Sequence, residues 1–199
     1  MDQNDVEVVD KSVVYDGYFR MDRYRLKHKL FEGGWSEVFA RELFERGHAV
    51  ALLPYDPVRD VVVLVEQFRI GAYAAGCHPW LIEVVAGIID PGETAEEVAR
   101  RETVEEAGLH VSDMIKVADY LASPGGTSET VTLYCGRIDA GEAGGIHGLD
   151  TESEDIRVMT LPFEEVAGLL AEPRTHNATL LIALQWLTLH RDELRAKWR

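Results

Sequence analysis

Apolar runs broken by turn-forming clusters divide this chain into stretches of different character. From Val6 to about Phe39 the apolar positions are Tyr, Val and Phe set among charged residues, and Val13–Leu30 reads as exposed antiparallel strands. So few strands cannot enclose a core of their own, so this unit needs a second surface to pack on. The pattern changes from Arg41. Ala49–Pro54 and Val61–Phe68 are nearly continuous apolar strands joined across Asp56-Pro57-Val58-Arg59-Asp60, and Trp80–Ala86 is a third. Further strands are predicted near Lys116–Leu121, Val131–Ile138 and Ile156–Leu161. Pro162 is predicted to open a helix to about Ala171, and Asn177 an amphipathic helix through Leu194. Mixed strands with one internal helix and helices at the end indicate an α+β layered domain. The chain thus divides into an N-terminal antiparallel β unit, residues 1–40, and a main domain, residues 41–199.

The internal helix lies in GIIDPGETAEEVARRETVEEAGL, from Gly87 to Leu109. Asp90-Pro91-Gly92 is a turn sequence, Thr94 with Glu97 has the form of a capping box, and Gly108 is a helix stop. At about 100° per residue, Ala95, Val98 and Ala99 share a face with Glu102, Glu105 and Glu106, three glutamates within about 100° of arc. The face turns from apolar to acidic halfway along. Like charges four apart, as at Glu102 and Glu106, oppose helix formation by roughly 0.2–0.5 kcal/mol, so the cluster wants a compensating cation. Hard divalent ions with oxygen ligands fit best. An acidic helix is more often a solvated face laced with ion pairs, here Arg101 with Glu105 and Arg100 with Glu96, and only the spacing described below overturns that reading.

Composition narrows the partners. The 199 residues carry a formal net charge of −15, with 46% hydrophobic and 28% charged residues. No broad basic surface is available for nucleic acid or anionic membranes, so an anionic substrate has to be received by metal ions and a few placed arginines. Cys77 and Cys135 lack metal-ligand spacing and read as reduced thiols of a cytoplasmic protein. The N-terminus has no apolar signal region, and the apolar stretch within Ala178–Leu189 is too short to span a bilayer. The seven histidines are scattered without zinc-site spacing, and no GxSxG, Walker loop or CxxC pair occurs.

Gly87, Glu93 six residues on, Arg101-Glu102, Glu105-Glu106 and Gly108 reproduce the Nudix box, and the chain resembles the Nudix hydrolases on these residues. With each fixed position matched by chance at roughly 7%, a random hit is on the order of one in 10⁸ per starting point. One position departs: Thr103 stands where an aliphatic residue is usual, where it can fill a Val-like space and bond back to the preceding turn. The resemblance implies the Nudix α/β/α sandwich with a mixed sheet, and attack of water on a diphosphate linked to some other group. Beyond the box, Pro124 in Ala122-Ser123-Pro124-Gly125-Gly126-Thr127-Ser128-Glu129 falls 16 residues after Gly108, a distance that marks the ADP-ribose class in this family. Gly17-Tyr18-Phe19, Arg41-Glu42 with Arg46, and Glu66-Gln67-Phe68-Arg69 extend the similarity to bacterial ADP-ribose pyrophosphatases over nearly the full length.

That similarity implies a Mg²⁺-dependent enzyme, with Mn²⁺ as a substitute, that converts ADP-ribose and water to AMP and ribose 5-phosphate. It implies metal ligation by Glu102, Glu106, Glu154 and the Ala86 carbonyl, with Glu105 as an outer ligand and Glu93–Arg101 as a buried structural pair. Glu152, in Asp150-Thr151-Glu152-Ser153-Glu154-Asp155, becomes the general base. Tyr18 and Phe19 are assigned to adenosine with Arg41, Glu42 and Arg46 flanking it, Arg69 to phosphate, and the Ile88 main chain, Ser123 and Glu129 complete the site. The similar enzymes are homodimers that exchange the N-terminal unit, so Tyr18, Phe19 and Glu129 are expected from a partner. Hydrolysis of a GDP-sugar or of ADP-glucose is the alternative within the class, and a non-catalytic ADP-ribose-binding regulator the alternative outside it.

Overall fold

The strand Ala49–Asp56 buries seven of its eight residues, and successive side chains enter opposite cores. Val50 and Leu52 pack with Val63, Val65, Val98, Ala99 and Ala107, whereas Ala51, Leu53 and Tyr55 pack with Val62, Leu64, Leu180, Leu184 and Leu187. Side chains alternate across a strand, so a continuous apolar run is what a sheet covered on both faces requires. The computed structural model describes residues 1–149, 151 and 153–198. In chain order its strands are β1 (Val6–Asp16), β2 (Arg20–His28), β3 (Phe39–Glu45), β4 (Ala49–Asp56), β5 (Val61–Phe68), β6 (Trp80–Glu83), β7 (Val85–Ile88), β8 (Asp113–Leu121), β9 (Thr130–Arg137), β10 (Gly145–His147) and β11 (Ile156–Pro162). Its α-helices are α1 (Ile70–Ala74), α2 (Ala95–Ala107), α3 (Val166–Leu169) and α4 (Ala178–Trp198).

The main sheet runs β10-β11-β5-β4-β9-β8, with β6 added to β5 and β7 to β4. β4 and β9 are parallel while β4–β5, β5–β11, β5–β6 and β4–β7 are antiparallel, so the sheet is mixed. α2 covers one face and α4 the other, giving the expected α/β/α sandwich. α4 starts where Asn177 accepts a hydrogen bond from the Leu180 N–H at 2.9 Å, and it runs past Leu194 to Trp198, whose indole donates to Asp113 at 2.9 Å. No described helix is long and apolar enough to cross a membrane. Cys77 is exposed and Cys135 buried, and both are free thiols.

Two local expectations are refined, and one strand is added. The run Trp80–Ala86 is two strands, because β4 and β5 pair directly only at Tyr55–Val62 and Asp56–Val61. Beyond that they separate, and β6 completes β5 at Val65–Phe68 while β7 completes β4 at Ala49–Leu52. Pro162 ends β11 opposite Val61 and is at the same time the cap of the helical run it was expected to open, but that run is a 3-10 turn (Phe163–Glu165) passing into the four-residue α3 and stops at Leu169, short of Ala171. The glycine-rich stretch after Ala140 contains β10, held on β11 by Gly145–Val158 and His147–Ile156.

The N-terminal sheet, β1-β2-β3, is antiparallel throughout. All eleven residues of β1 are exposed. Residue 40 falls inside β3, and the compact unit extends over Met1–His48 together with Leu121–Thr130. The loop joins it through bonds to β3: the Phe44 N–H donates to Gly126 O at 2.8 Å, and Ser128 donates to Glu45 at 2.7 Å. The second unit comprises Ala49–Tyr120 and Val131 onward.

Candidate active site on the acidic helix

α2 is fixed at both ends by local chemistry. Thr94 Oγ1 accepts from the Glu97 N–H, and Glu97 returns the bond by accepting from the Thr94 N–H at 2.9 Å. At the other end Gly108 is left-handed, with φ of 66°. β7 lies along the helix with Ala86 and Gly87. A Cβ on Gly87 would fall 2.0 Å from Glu102 Oε1, so the missing side chain is what lets the carboxylate lie against the strand.

Glu106 is 2% exposed on the packed face of α2. Its Oε2 accepts from the Ala86 N–H at 3.1 Å and its Oε1 faces Gln67 Nε2 at 3.5 Å. Burial pushes its pKa up to about 8; the Ala86 bond and the charge of Arg69 oppose this, and the charges of Glu102 and Glu154 add to it. Glu102 is pushed up to about 7, again chiefly by burial, with Arg101 opposing and Glu105 and Glu154 adding. Glu102, Glu106 and Glu154 therefore share one electrostatic neighbourhood. Glu154 is held by the Leu149 N–H, which donates to its Oε2 at 3.1 Å. Among the described residues no three acidic, histidine or cysteine side chains converge on a single point. Even so, desolvated carboxylate oxygens that resist ionisation because too little positive charge faces them are a donor set suited to a hard divalent cation.

Arg101 is the internal cation of this region. It lies 3.4 Å from Glu93, 2.9 Å from Glu102 and 2.9 Å from Glu105. The pair with Glu93 is present but not buried: Arg101 and Glu93 are 38% and 32% exposed. The ordinary ion pair of a solvated helix, Arg101–Glu105, coexists with the box geometry. Thr103 is fully buried and donates to Ala99 O at 2.6 Å, the back-bond its position suggested. Arg69, at the N-terminus of α1, donates from Nε to Glu83 at 2.7 Å. Ile88 ends β7 opposite Ala49. Glu152, the expected general base, lies outside the described residues.

In the N-terminal unit, Phe19 stacks edge-on with Tyr18 and Phe44 at 4.7 and 5.0 Å, and the Arg46 guanidinium lies 5.5 Å from its ring centre. Arg46 also faces Glu129 at 3.4 Å; its buried Nε finds no hydrogen bond among the described residues, and charge and ring contact hold the group. Tyr18 is 90% exposed. Arg41 and Glu42 are successive on β3 and point to opposite faces, Arg41 lying over Phe39 and Glu42 pairing with Arg23 at 2.7 Å. Ser123 O accepts from Gly126 and Thr127 N–H at 3.0 Å, forming the tight turn of the loop. The structure thus gathers Tyr18, Phe19, Arg46 and Glu129 into one cluster and sets Arg41 and Glu42 apart from each other.

Two contacts were not anticipated. Gln67, buried on β5, reaches Glu106, and Glu83 on β6 holds Arg69. The available signal was alternation: Gln67 and Arg69 are two apart and share a face of an extended strand, and Glu83 is the one carboxylate in an otherwise apolar run.

Residues 45–186 match the NUDIX domain. The chain is 52% identical over 196 residues to an ADP-ribose pyrophosphatase of Escherichia coli, covering 98% of this chain and 94% of that protein. It is 42% identical over 200 residues to an ADP-ribose pyrophosphatase of Haemophilus influenzae, covering 99% and 92%. A GDP-mannose pyrophosphatase of Pectobacterium atrosepticum is 31% identical over 185 residues, covering 90% and 92%. The crystal structure of an ADP compounds hydrolase superimposes with a TM-score of 0.74 at 21% identity, covering 100% of this chain and 99% of that one, a likeness of fold.

Proposed function

Because the chain belongs to the NUDIX family, we propose that its acidic helix serves hydrolysis of a diphosphate, and we infer that the substrate is ADP-ribose, cleaved to AMP and ribose 5-phosphate. The observation that carries this reading is identity at more than half of all positions, across nearly the whole chain, to a protein named for that reaction. GDP-mannose hydrolysis, named for a more distant relative, has weaker support.

Glu102, Glu106 and Glu154 with the Ala86 carbonyl would hold Mg²⁺ or Mn²⁺, which when bound supplies the positive charge that offsets the diphosphate and acidifies water. The protein's own residues do the rest. Gly87 and the Ala86 N–H fix the two helix carboxylates against β7. Arg69 offers its guanidinium to phosphate oxygens and takes up charge on the leaving group. Glu152 is assigned as the base that takes the proton of the attacking water, and Glu105 orients that water. The Ile88 main chain and Ser123 complete the substrate contacts.

Tyr18, Phe19, Arg46 and Glu129, with Arg41 and Glu42, are assigned to adenosine; their aromatic faces and guanidinium groups are the chemistry a purine nucleotide needs. The wholly exposed β1 supports a homodimer in which this unit packs on a twin chain. A cytoplasmic location fits the two free thiols.

A panel of ADP-ribose, ADP-glucose and GDP-mannose with Mg²⁺, products resolved by chromatography, tests the reading. AMP released fastest from ADP-ribose supports it. Faster turnover of another sugar transfers the assignment to that substrate, and no turnover with any of them favours a binding regulator. Light scattering at micromolar concentration tests the dimer.

A further inference from the structure

The ion pair between Arg69 and Glu83 carries an inference that rests on the diphosphate-hydrolase reading. We propose that Glu83 is a positioning residue, holding Arg69 so that the two terminal guanidinium nitrogens are presented to a substrate phosphate. Glu83 pairs with Val65 across β5–β6, so its side chain lies on the face of the sheet that carries Val65 and Gln67. That is the face covered by α2, where Gln67 reaches Glu106.

Arg69 comes two residues after Gln67 and is tied to the β6 side twice. Its N–H donates to Pro79 O at 2.7 Å, and its Nε donates to Glu83 Oε2 at 2.7 Å. Its Nη1 and Nη2 make no hydrogen bond among the described residues. The charge of Arg69 is nevertheless felt at Glu106, against the effect of burial, so the guanidinium stands near the acidic cluster.

Two consequences follow from physical chemistry. A planar guanidinium fixed at Nε has already lost its rotamer freedom, and its remaining two nitrogens match two oxygens of a phosphate. A free arginine beside Glu102 and Glu106 would also be drawn into the acidic cluster, in competition with a metal ion. Glu83, 15% exposed, gives Arg69 a carboxylate of its own and keeps it out.

The test compares wild type with Glu83→Gln, Glu83→Ala, Glu83→Asp, Arg69→Ala and the Arg69→Ala/Glu83→Ala double variant. Calorimetry measures ADP-ribose binding to metal-free protein, steady-state assays give KM and kcat, and spin resonance measures Mn²⁺ binding. Glu83→Gln and Glu83→Ala are expected to weaken ADP-ribose binding about tenfold and raise KM by a similar factor. Because a freed Arg69 competes with metal and no longer takes up charge on the leaving group, Mn²⁺ affinity and kcat are also expected to fall severalfold in Glu83→Gln and Glu83→Ala, and Glu83→Asp is expected to recover part of each loss. The double variant is expected to bind no more weakly than Arg69→Ala, because Glu83 acts through Arg69. Unchanged binding in both Glu83 variants, a full additional loss in the double variant, or failure of both variants to fold would overturn the proposal. Wild-type protein that neither binds nor hydrolyses ADP-ribose would remove the underlying reading, and the proposal with it.

Discussion

Two acidic clusters in the same domain have opposite electrostatics. At the β4–β5 turn, Asp60 receives the Tyr55 hydroxyl at 2.6 Å, Arg191 Nε at 2.9 Å, and Arg195. Burial works to raise its pKa, but the hydrogen bonds from Arg191 and Tyr55 and the charges of the two arginines hold it below the ordinary value. Asp56 beside it, 1% exposed, is likewise held low against burial by the N–H groups of Arg59, Ala140 and Val58 and by the Arg59 side chain. On α2 the balance reverses. Burial dominates at Glu102 and Glu106, and Arg101 divides its charge among Glu93, Glu102 and Glu105. Asp60 is neutralised by the fold and so serves the fold, whereas the glutamates are left for something the chain does not itself supply.

The sharpest way to break this contrast is to neutralise one member of each cluster. Glu106→Gln keeps the shape and the bond from Ala86 but removes a charged ligand, so kcat for ADP-ribose is expected to fall about 10³-fold while the protein stays folded. Steady-state AMP release measures it, and a fall of less than tenfold would show that metal is held elsewhere.

Asp60→Asn is expected to do the reverse. It leaves Arg191 and Arg195 without their counter-charge and lowers stability by about 2–3 kcal/mol, with kcat per folded molecule unchanged. Denaturant melts and active-site titration separate the two effects. Wild-type stability in this variant would show that the hub is dispensable.

The pH dependence sharpens the contrast further. Glu102 and Glu106 have folded pKa values of about 7 and about 8, above the ordinary 4.5, so their contribution to stability is complete below pH 4.5 and is lost as pH rises through those values. For Asp56 and Asp60 the folded values lie below 3.8, so their contribution is present above 3.8 and is lost as pH falls through the depressed values. Metal-free protein is therefore expected to be less stable at pH 9 than at pH 6, by on the order of 1–3 kcal/mol, and less so in Glu106→Gln. Saturating Mg²⁺ is expected to abolish most of the difference. Melting temperatures of metal-free protein that do not move between pH 6 and 9 would contradict the raised values.

Local order explains which of these features were legible in the sequence. The box helix, its caps and its acidic half-face rest on contacts within four residues, and the structure reproduces Thr94, Glu97, Gly108 and Thr103 in their expected roles. The apolar strands β4 and β5 were legible because burial on both faces leaves an unbroken apolar run. What escaped depends on partners distant in the chain. Val84 is as apolar as its neighbours, so nothing local marks the point where the chain passes from β5 to β4. The loop Leu121–Thr130 belongs with β3 through bonds spanning some eighty residues, such as Ser128 to Glu45. Asp60, read only as a turn residue, is a hub because α4 brings Arg191 and Arg195 back to it.

The smallest expected effect lies at Thr103, where the box departs from its usual residue type. Its hydroxyl is buried within the acidic half of α2 yet fully satisfied, donating to Ala99 O at 2.6 Å. That bond lies within the helix and carries no charge, so by the logic of the two clusters it belongs with Asp60 and not with Glu106. Thr103→Val fills the same space with a methyl. The lost hydrogen bond costs about 0.5–1.5 kcal/mol, offset by the burial of a methyl group and by relief of the back-bond that bends a helix. Stability is therefore expected to stay within about 1 kcal/mol of wild type and kcat to be unchanged. Thermal melts and steady-state turnover measure both. A tenfold or larger fall in kcat with normal stability would mean that the hydroxyl shapes the placement of Glu102 or Glu106, and that a satisfied polar group can still belong to the site.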